Sequence, residues 1–151
     1  MRVDIIIQKL EQIIENISLI HNNLPDKYSK FESLGLVKDG IYKRLDYSIE
    51  LVIDICSIIN ADLKLGLPNG ESEIITNLVN KKIINSDLEE AIRGMKSFRN
   101  ILVHRYGKID DQISYNLLKQ HLDDFETFRI EILNYLKRNE HKKSDLNKEN
   151  H

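Results

Sequence analysis

Residues 86–107 read SDLEEAIRGMKSFRNILVHRYG, and the periodicity of this stretch decides how the chain folds. At about 100° per residue, Leu88, Ala91, Ile92, Met95, Phe98 and Leu102 fall within an arc of roughly 120°, the mark of a helix with one face in a core. Ser86-Asp87-Leu88-Glu89 has the S-x-x-E form of a capping box. In that arrangement each side chain satisfies a free backbone N–H of the other, which predicts the helix start. The helix should run to about His104 and stop before Gly107. Arg99 falls inside the apolar arc. A guanidinium there is costly unless it is paired or opens into a cleft. Glu50 or Asp54 could supply a core carboxylate. Asn100 and His104, four residues apart, share a different face, and Tyr106 extends the line of Arg99 if the helix persists that far.

The flanking segments carry the same helical period. Ile6, Leu10, Ile13, Ile17, Ile20 and Leu24 step by four and three residues and so lie on one helical face. Asn22-Asn23 and Pro25 end that helix, and Tyr28 and Phe31 are anchors for a short helix after it. A second long segment has Ile41, Leu45, Ile49, Val52, Cys56, Ile59 and Leu63 on its main stripe, with Leu51, Ile53, Ile55 and Ile58 on other faces. Such a helix needs neighbours on several sides, and a second copy of the chain is one of the options. Gly66, Pro68, Asn69 and Gly70 mark a loop. A shorter helix is expected from about Ser72 to Val79. The last helix is expected to begin near Asp110-Asp111, where acids suit the positive end of the helix dipole. It carries Ile113, Leu117, Phe125, Phe128, Ile132 and Tyr135. No segment alternates with period two. The expected fold is all-α, an antiparallel bundle of four to five helices. Residues 1–138 form the domain, and 139–151, with Leu146 as the one apolar member, form a polar and disordered tail.

Composition sets limits on function. With 151 residues the chain is one domain long. Hydrophobic residues at 41% and charged residues at 30% describe an ordinary globular protein. Net charge is −2 and the sequence pI is about 6.2. Proteins that coat nucleic acid without specificity are usually basic, so any RNA contact must be made by a few placed cations. Cys56 is the only cysteine, which excludes an internal disulfide and a cysteine-built zinc site. A reducing, cytoplasmic setting is the simplest expectation. No signal peptide is evident at the N-terminus, and no apolar run reaches the roughly 18–20 residues that span a bilayer.

Several chemistries have no motif to carry them. No phosphate loop, dinucleotide turn or H-E-x-x-H occurs. His121 and Asp124 form an i, i+3 pair that reads as solvated helix surface, and no metal or cofactor is expected. On periodicity alone, Arg99 and His104 stay open between a site and a structural pair. The structural version is a core arginine on a carboxylate and a histidine suited to the negative end of a helix.

The segment Arg99-Asn100-Ile101-Leu102-Val103-His104-Arg105-Tyr106 resembles the R-x4-H-x-Y signature of HEPN toxins of the HepT-like kind. Lys43-Arg44-Leu45 with Glu50 resembles that family's R-L-x-x-x-x-E pattern on its second long helix, with Ile49 standing where a small residue is usual. The similarity runs from about residue 3 to 138. It implies a two-fold dimer and a metal-independent ribonuclease in which RNA supplies its own 2′-OH as nucleophile. His104 would transfer a proton, since imidazole titrates near neutrality. Arg99 would hold the phosphate and stabilise its developing charge, and Asn100 would orient His104 or the substrate. The resemblance also implies that Tyr106 receives AMP from ATP through a minimal nucleotidyltransferase (MNT) antitoxin. The added bulk and charge would then block the site. The alternative is a noncatalytic helical module that binds a nucleotidyltransferase and helps it hold substrate. A third reading is a bare structural bundle.

Overall fold

The structure is a computed structural model that describes residues 1–104 and 109–149, with Val103 and His104 described in their backbone alone. Among the described residues every regular element is helical: α1 (Val3–Asn23), α2 (Tyr28–Glu32), α3 (Leu36–Asp62), α4 (Glu71–Asn80), α5 (Ser86–His104), α6 (Asp111–His121) and α7 (Asp124–Glu149). The fold is the expected all-α bundle. Its four long helices close a ring in which α1 packs on α3, α3 on α5, α5 on α7 and α7 on α1. The shorter helices lie against this frame, α4 across α3 and α5, and α6 on α2.

The centre of the core is α3. Leu51, Ile53 and Ile55, which lie off its main stripe, are buried along with Leu45, Ile49, Val52 and Ile59. Its covering neighbours are α1, α4 and α5 of the same chain. Most of the broad apolar surface of α3 is therefore covered within one copy, while Leu36, Val37 and Tyr47 near its start stay exposed. Cys56 is fully buried, and burial pushes its thiol up to about 12, too high for a reactive thiolate at neutral pH.

Two local expectations are corrected. The cap of α5 is Asn85, not Ser86. The Asn85 side-chain oxygen accepts the Leu88 N–H at 2.8 Å, and the Asn85 carbonyl accepts from Glu89 at 2.9 Å. Asparagine caps at least as well as serine, and Glu89 is left to pair with Arg93 at 2.9 Å. The last helix is also divided. The N–H groups of Glu126 and Thr127 both turn to the Asp123 carbonyl, at 3.1 and 3.2 Å, so a new helix starts there. The break lets α6 and α7 face different neighbours, and it changes which side of α6 is buried. Ile113 is 53% exposed, while Ser114, Tyr115 and Leu118 are buried. Tyr115 donates to the Pro25 carbonyl at 2.7 Å, and its ring lies 5.2 Å from that of Phe31. Asp110 caps α6 through the Ile113 N–H at 3.1 Å, which agrees with the expected start.

Beyond the core, α7 continues as helix to Glu149, so the tail set apart at residue 139 keeps regular structure as far as it is described. Side chains 140–149 are all exposed. None of the described helices is long and apolar enough to cross a membrane.

One polar cluster fixes α6 to α3. Lys38 Nζ lies 2.7 Å from one Asp111 oxygen, and Tyr42 donates its hydroxyl to the other at 2.6 Å. Burial alone would raise the Asp111 carboxyl, but these two bonds outweigh it and hold the group below the ordinary carboxylate range.

Asn85→Ala should cost about 1 kcal/mol in urea unfolding while Ser86→Ala stays within roughly half of that; equal losses would restore Ser86 as the cap. The depressed Asp111 carboxyl contributes stability above the unfolded value of about 3.9 and loses it as pH falls through the lower folded value. Asp111→Asn should therefore destabilise by about 1–2 kcal/mol at pH 7. The gap to wild type should narrow in melts as pH falls below about 3.9 and close only once pH drops below the lowered folded value, where the wild-type carboxyl is itself protonated.

Candidate active site

Helix α5 carries the site residues on the edge of its buried face. Leu88, Ile92, Met95 and Phe98 enter the core as the periodicity predicts, while Ala91 and Leu102 are half-buried. Arg99 lies within the same arc, with its side chain 18% exposed. Its partner is Glu71, the first residue of α4, at 2.8 Å from Nη2 to Oε2. It is neither of the two carboxylates expected from the sequence. Asp54 pairs instead with Lys9 at 3.4 Å, and Glu50 is exposed.

The same edge of α5 holds two further cations. Lys96 Nζ lies 3.6 Å from the same Oε2 of Glu71. Arg93 reaches across to the Ser72 hydroxyl at 2.8 Å and the Thr76 hydroxyl at 3.1 Å. Arg93, Lys96 and Arg99 step by three residues, so they line one side of the helix and face the first turns of α4. The three cations share two carboxylates there, Glu71 and Glu89. A planar guanidinium that is only partly covered can take a phosphate oxygen pair through its remaining N–H groups.

The other sequence candidates are placed as follows. Asn100 is exposed and makes no hydrogen bond among the described residues. It points away from the Arg99–Glu71 pair, as expected for consecutive positions on a helix. His104 is the last residue of α5, and its side chain lies outside the described residues, as does Tyr106 altogether. In the upstream pattern, Leu45 is buried, and Arg44 donates to the Asn16 oxygen at 2.8 Å. His121 and Asp124 meet at 3.2 Å with the imidazole largely exposed, a solvated pair. An apolar groove of about 410 Å³ lies between α3, α5, α6 and α7, walled by Ile49, Gly94, Phe98, Leu118 and Phe125. Arg99 is not part of its wall.

Residues 13–132 match the family described as Ribonuclease HepT-like. The chain belongs to that family. The matched stretch contains all of α2 to α6 and the whole Arg99–Tyr106 segment. As a HepT-like ribonuclease the chain is 32% identical over 125 residues to the mRNA nuclease HepT of Shewanella oneidensis, a span of 83% of this chain and 93% of that protein. Among solved structures it is similar to a tri-AMPylated HEPN toxin of S. oneidensis in complex with an MNT antitoxin. That match has 31% identity and a TM-score of 0.77, and covers 85% of this chain and 96% of the other. The cytosolic protein YutE from Bacillus subtilis, at 17% identity, shares the fold, with a TM-score of 0.78 over 91% of this chain and 92% of its own.

Glu71 is the residue that sequence reasoning missed. It lies 28 positions from Arg99, and no helical spacing links the two. The only local sign is an acid directly after the Asn69-Gly70 turn, where it also suits the start of α4.

Proposed function

We propose that the chain is a metal-independent endoribonuclease toxin, paired with an MNT-type nucleotidyltransferase antitoxin that silences it by adding AMP to Tyr106. The observation that carries the reading is Arg99. It is an arginine kept within a core stripe, mostly covered, and held through a single N–H by one carboxylate oxygen. It stands at the head of the R-x4-H-x-Y segment of a HepT-like ribonuclease. The relatives named as a nuclease and as a toxin bound to its antitoxin support catalysis over a noncatalytic scaffold.

RNA carries its nucleophile beside the bond to be broken. The 2′-oxygen attacks the adjacent phosphorus, the 2′ proton passes to a base, and the 5′-oxygen leaves with a proton from an acid. His104 serves the proton transfers. Arg99 holds two phosphate oxygens and stabilises the charge that gathers on them as the fifth bond forms. DNA lacks the 2′-OH and is not cut. Asn100, on the His104 face, orients the imidazole or the substrate.

Helix geometry favours a homodimer. Arg99 and His104 are five residues apart, which on a straight helix is about 140° of rotation and roughly 7.5 Å of rise. Two copies related by a two-fold axis bring the segments together across one cleft. The catalytic unit is residues 1–138, with the exposed end of α7 outside it. Adenylylation would join the Tyr106 oxygen to the α-phosphorus of ATP and release pyrophosphate. The product places a phosphate beside a site built for an RNA phosphate, and it inhibits by repulsion and bulk.

Expression of the wild-type chain should arrest growth, and Arg99→Ala or His104→Ala should relieve the arrest. On purified protein each variant should lower RNA cleavage by about 100-fold or more, and wild-type cleavage should persist in EDTA. Retained cleavage in both variants would end the assignment. Incubation with the cognate transferase and ATP should add adenylyl mass that maps to Tyr106, and Tyr106→Phe should stay active under the same treatment. A modified chain with Tyr106 unaltered would move the switch elsewhere.

A further inference from the structure

We infer that Glu71 is the positioning residue of the ribonuclease site, orienting the Arg99 guanidinium for phosphate while holding Lys96 beside it. The inference rests on the reading of Arg99 as the phosphate-binding group.

The contact leaves Arg99 able to work. Glu71 Oε2 engages Nη2 alone, at 2.8 Å. A guanidinium has five N–H donors, so a one-point contact anchors one end of it and leaves a two-pronged edge for phosphate oxygens. A two-point carboxylate pair would have occupied such an edge. The same oxygen stands 3.6 Å from Lys96 Nζ. Lys96 and Arg99 are three apart on one helix, where like charges repel. The shared carboxylate lets both cations stay on one side of α5.

Glu71 is itself held in place. Gly70 takes φ 104°, a conformation that suits glycine, to start α4. The Asn69 N–H donates to Glu73 at 2.9 Å. Asn77 donates to Asn60 on α3 at 3.0 Å, and Asn60 donates to the Gly66 carbonyl at 3.2 Å. Arg93 clamps Ser72 and Thr76 from the α5 side. These bonds tie the loop and the first turns of α4 to both α3 and α5. An acid held this firmly can set the direction of a long side chain.

The test uses the full chain with a labelled single-stranded RNA that the wild type cuts. Glu71→Ala should lower kcat about tenfold, the scale of a misaligned catalytic group, with KM within twofold. Glu71→Gln, whose amide oxygen still accepts from Arg99, should lose about threefold and also serves if the alanine variant does not fold. The Arg99 Nε–H signal in nitrogen-edited NMR, identified by its absence in Arg99→Ala, should shift in Glu71→Ala. A folded Glu71→Ala with kcat within twofold of wild type, or with the Arg99 signal unmoved, overturns the inference. Inactive Arg99→Ala beside fully active Glu71→Ala defeats the positioning role alone. Fully active Arg99→Ala defeats the reading of Arg99 and the positioning role with it.

Discussion

An arginine whose side chain is 82% covered is costly to hold in a helical bundle without an anion. Meeting that need for Arg99 explains how the middle of the chain is arranged. The anion comes from α4, a ten-residue helix that would otherwise be a replaceable connection between two long ones. Because Glu71 must reach α5, the start of α4 is drawn over the side of α5 that carries Arg93, Lys96 and Arg99. The hydroxyls of Ser72 and Thr76 then fall where Arg93 can bind them. The amide chain from Asn77 through Asn60 to Gly66 secures the other side of the helix and its loop. The connection is thus part of the site.

The rest of the frame exists to hold α5 still. Its buried residues Leu88, Ile92, Met95 and Phe98 press on a core organised around α3. A helix covered on several sides is hard to rotate or slide, since tightly packed interiors transmit small shifts instead of absorbing them. At the other end of the bundle, Lys38, Tyr42 and Asp111 tie α6 to α3, and Tyr115 ties it to the turn after α1. Those bonds fix the start of α6, the first described helix after the R-x4-H-x-Y segment. Both sides of that segment are consequently anchored to one helix.

How much could be read beforehand depends on the range of the interaction. Periodicity reports burial along one helix, so the stripes of α1, α3 and α5 were legible, and so was the place of Arg99 inside the apolar arc. It does not report which neighbour covers a face. The sequence therefore left open a second copy against α3, where the structure has α1, α4 and α5. The capping pattern located the start of α5, but Asn85 and Ser86 are both good caps, and only the geometry chose Asn85. The stripe of the last helix was misread at Ile113 because the pattern from Leu118 through Leu122 to Phe125 suits an unbroken helix. The break at Asp123 comes from α6 following α2, a contact distant in sequence. Glu71 was invisible for the same reason. A partner 28 residues away on another helix leaves no trace in local spacing.

Net charge and site charge act at different ranges, which resolves the apparent conflict between an acidic chain and an RNA substrate. At physiological ionic strength charges are screened beyond roughly 8 Å, so a phosphate near α5 senses Arg99 and its neighbours far more than the overall −2. A chain of net charge −2 also binds nucleic acid poorly away from its site, because its acids oppose nonspecific contact with phosphate. Clustering cations along one edge of α5, with Glu71 between two of them, confines binding to the place where the chemistry occurs. On the proposed reading, adenylylation at Tyr106 would add charge that opposes a site built from so few cations.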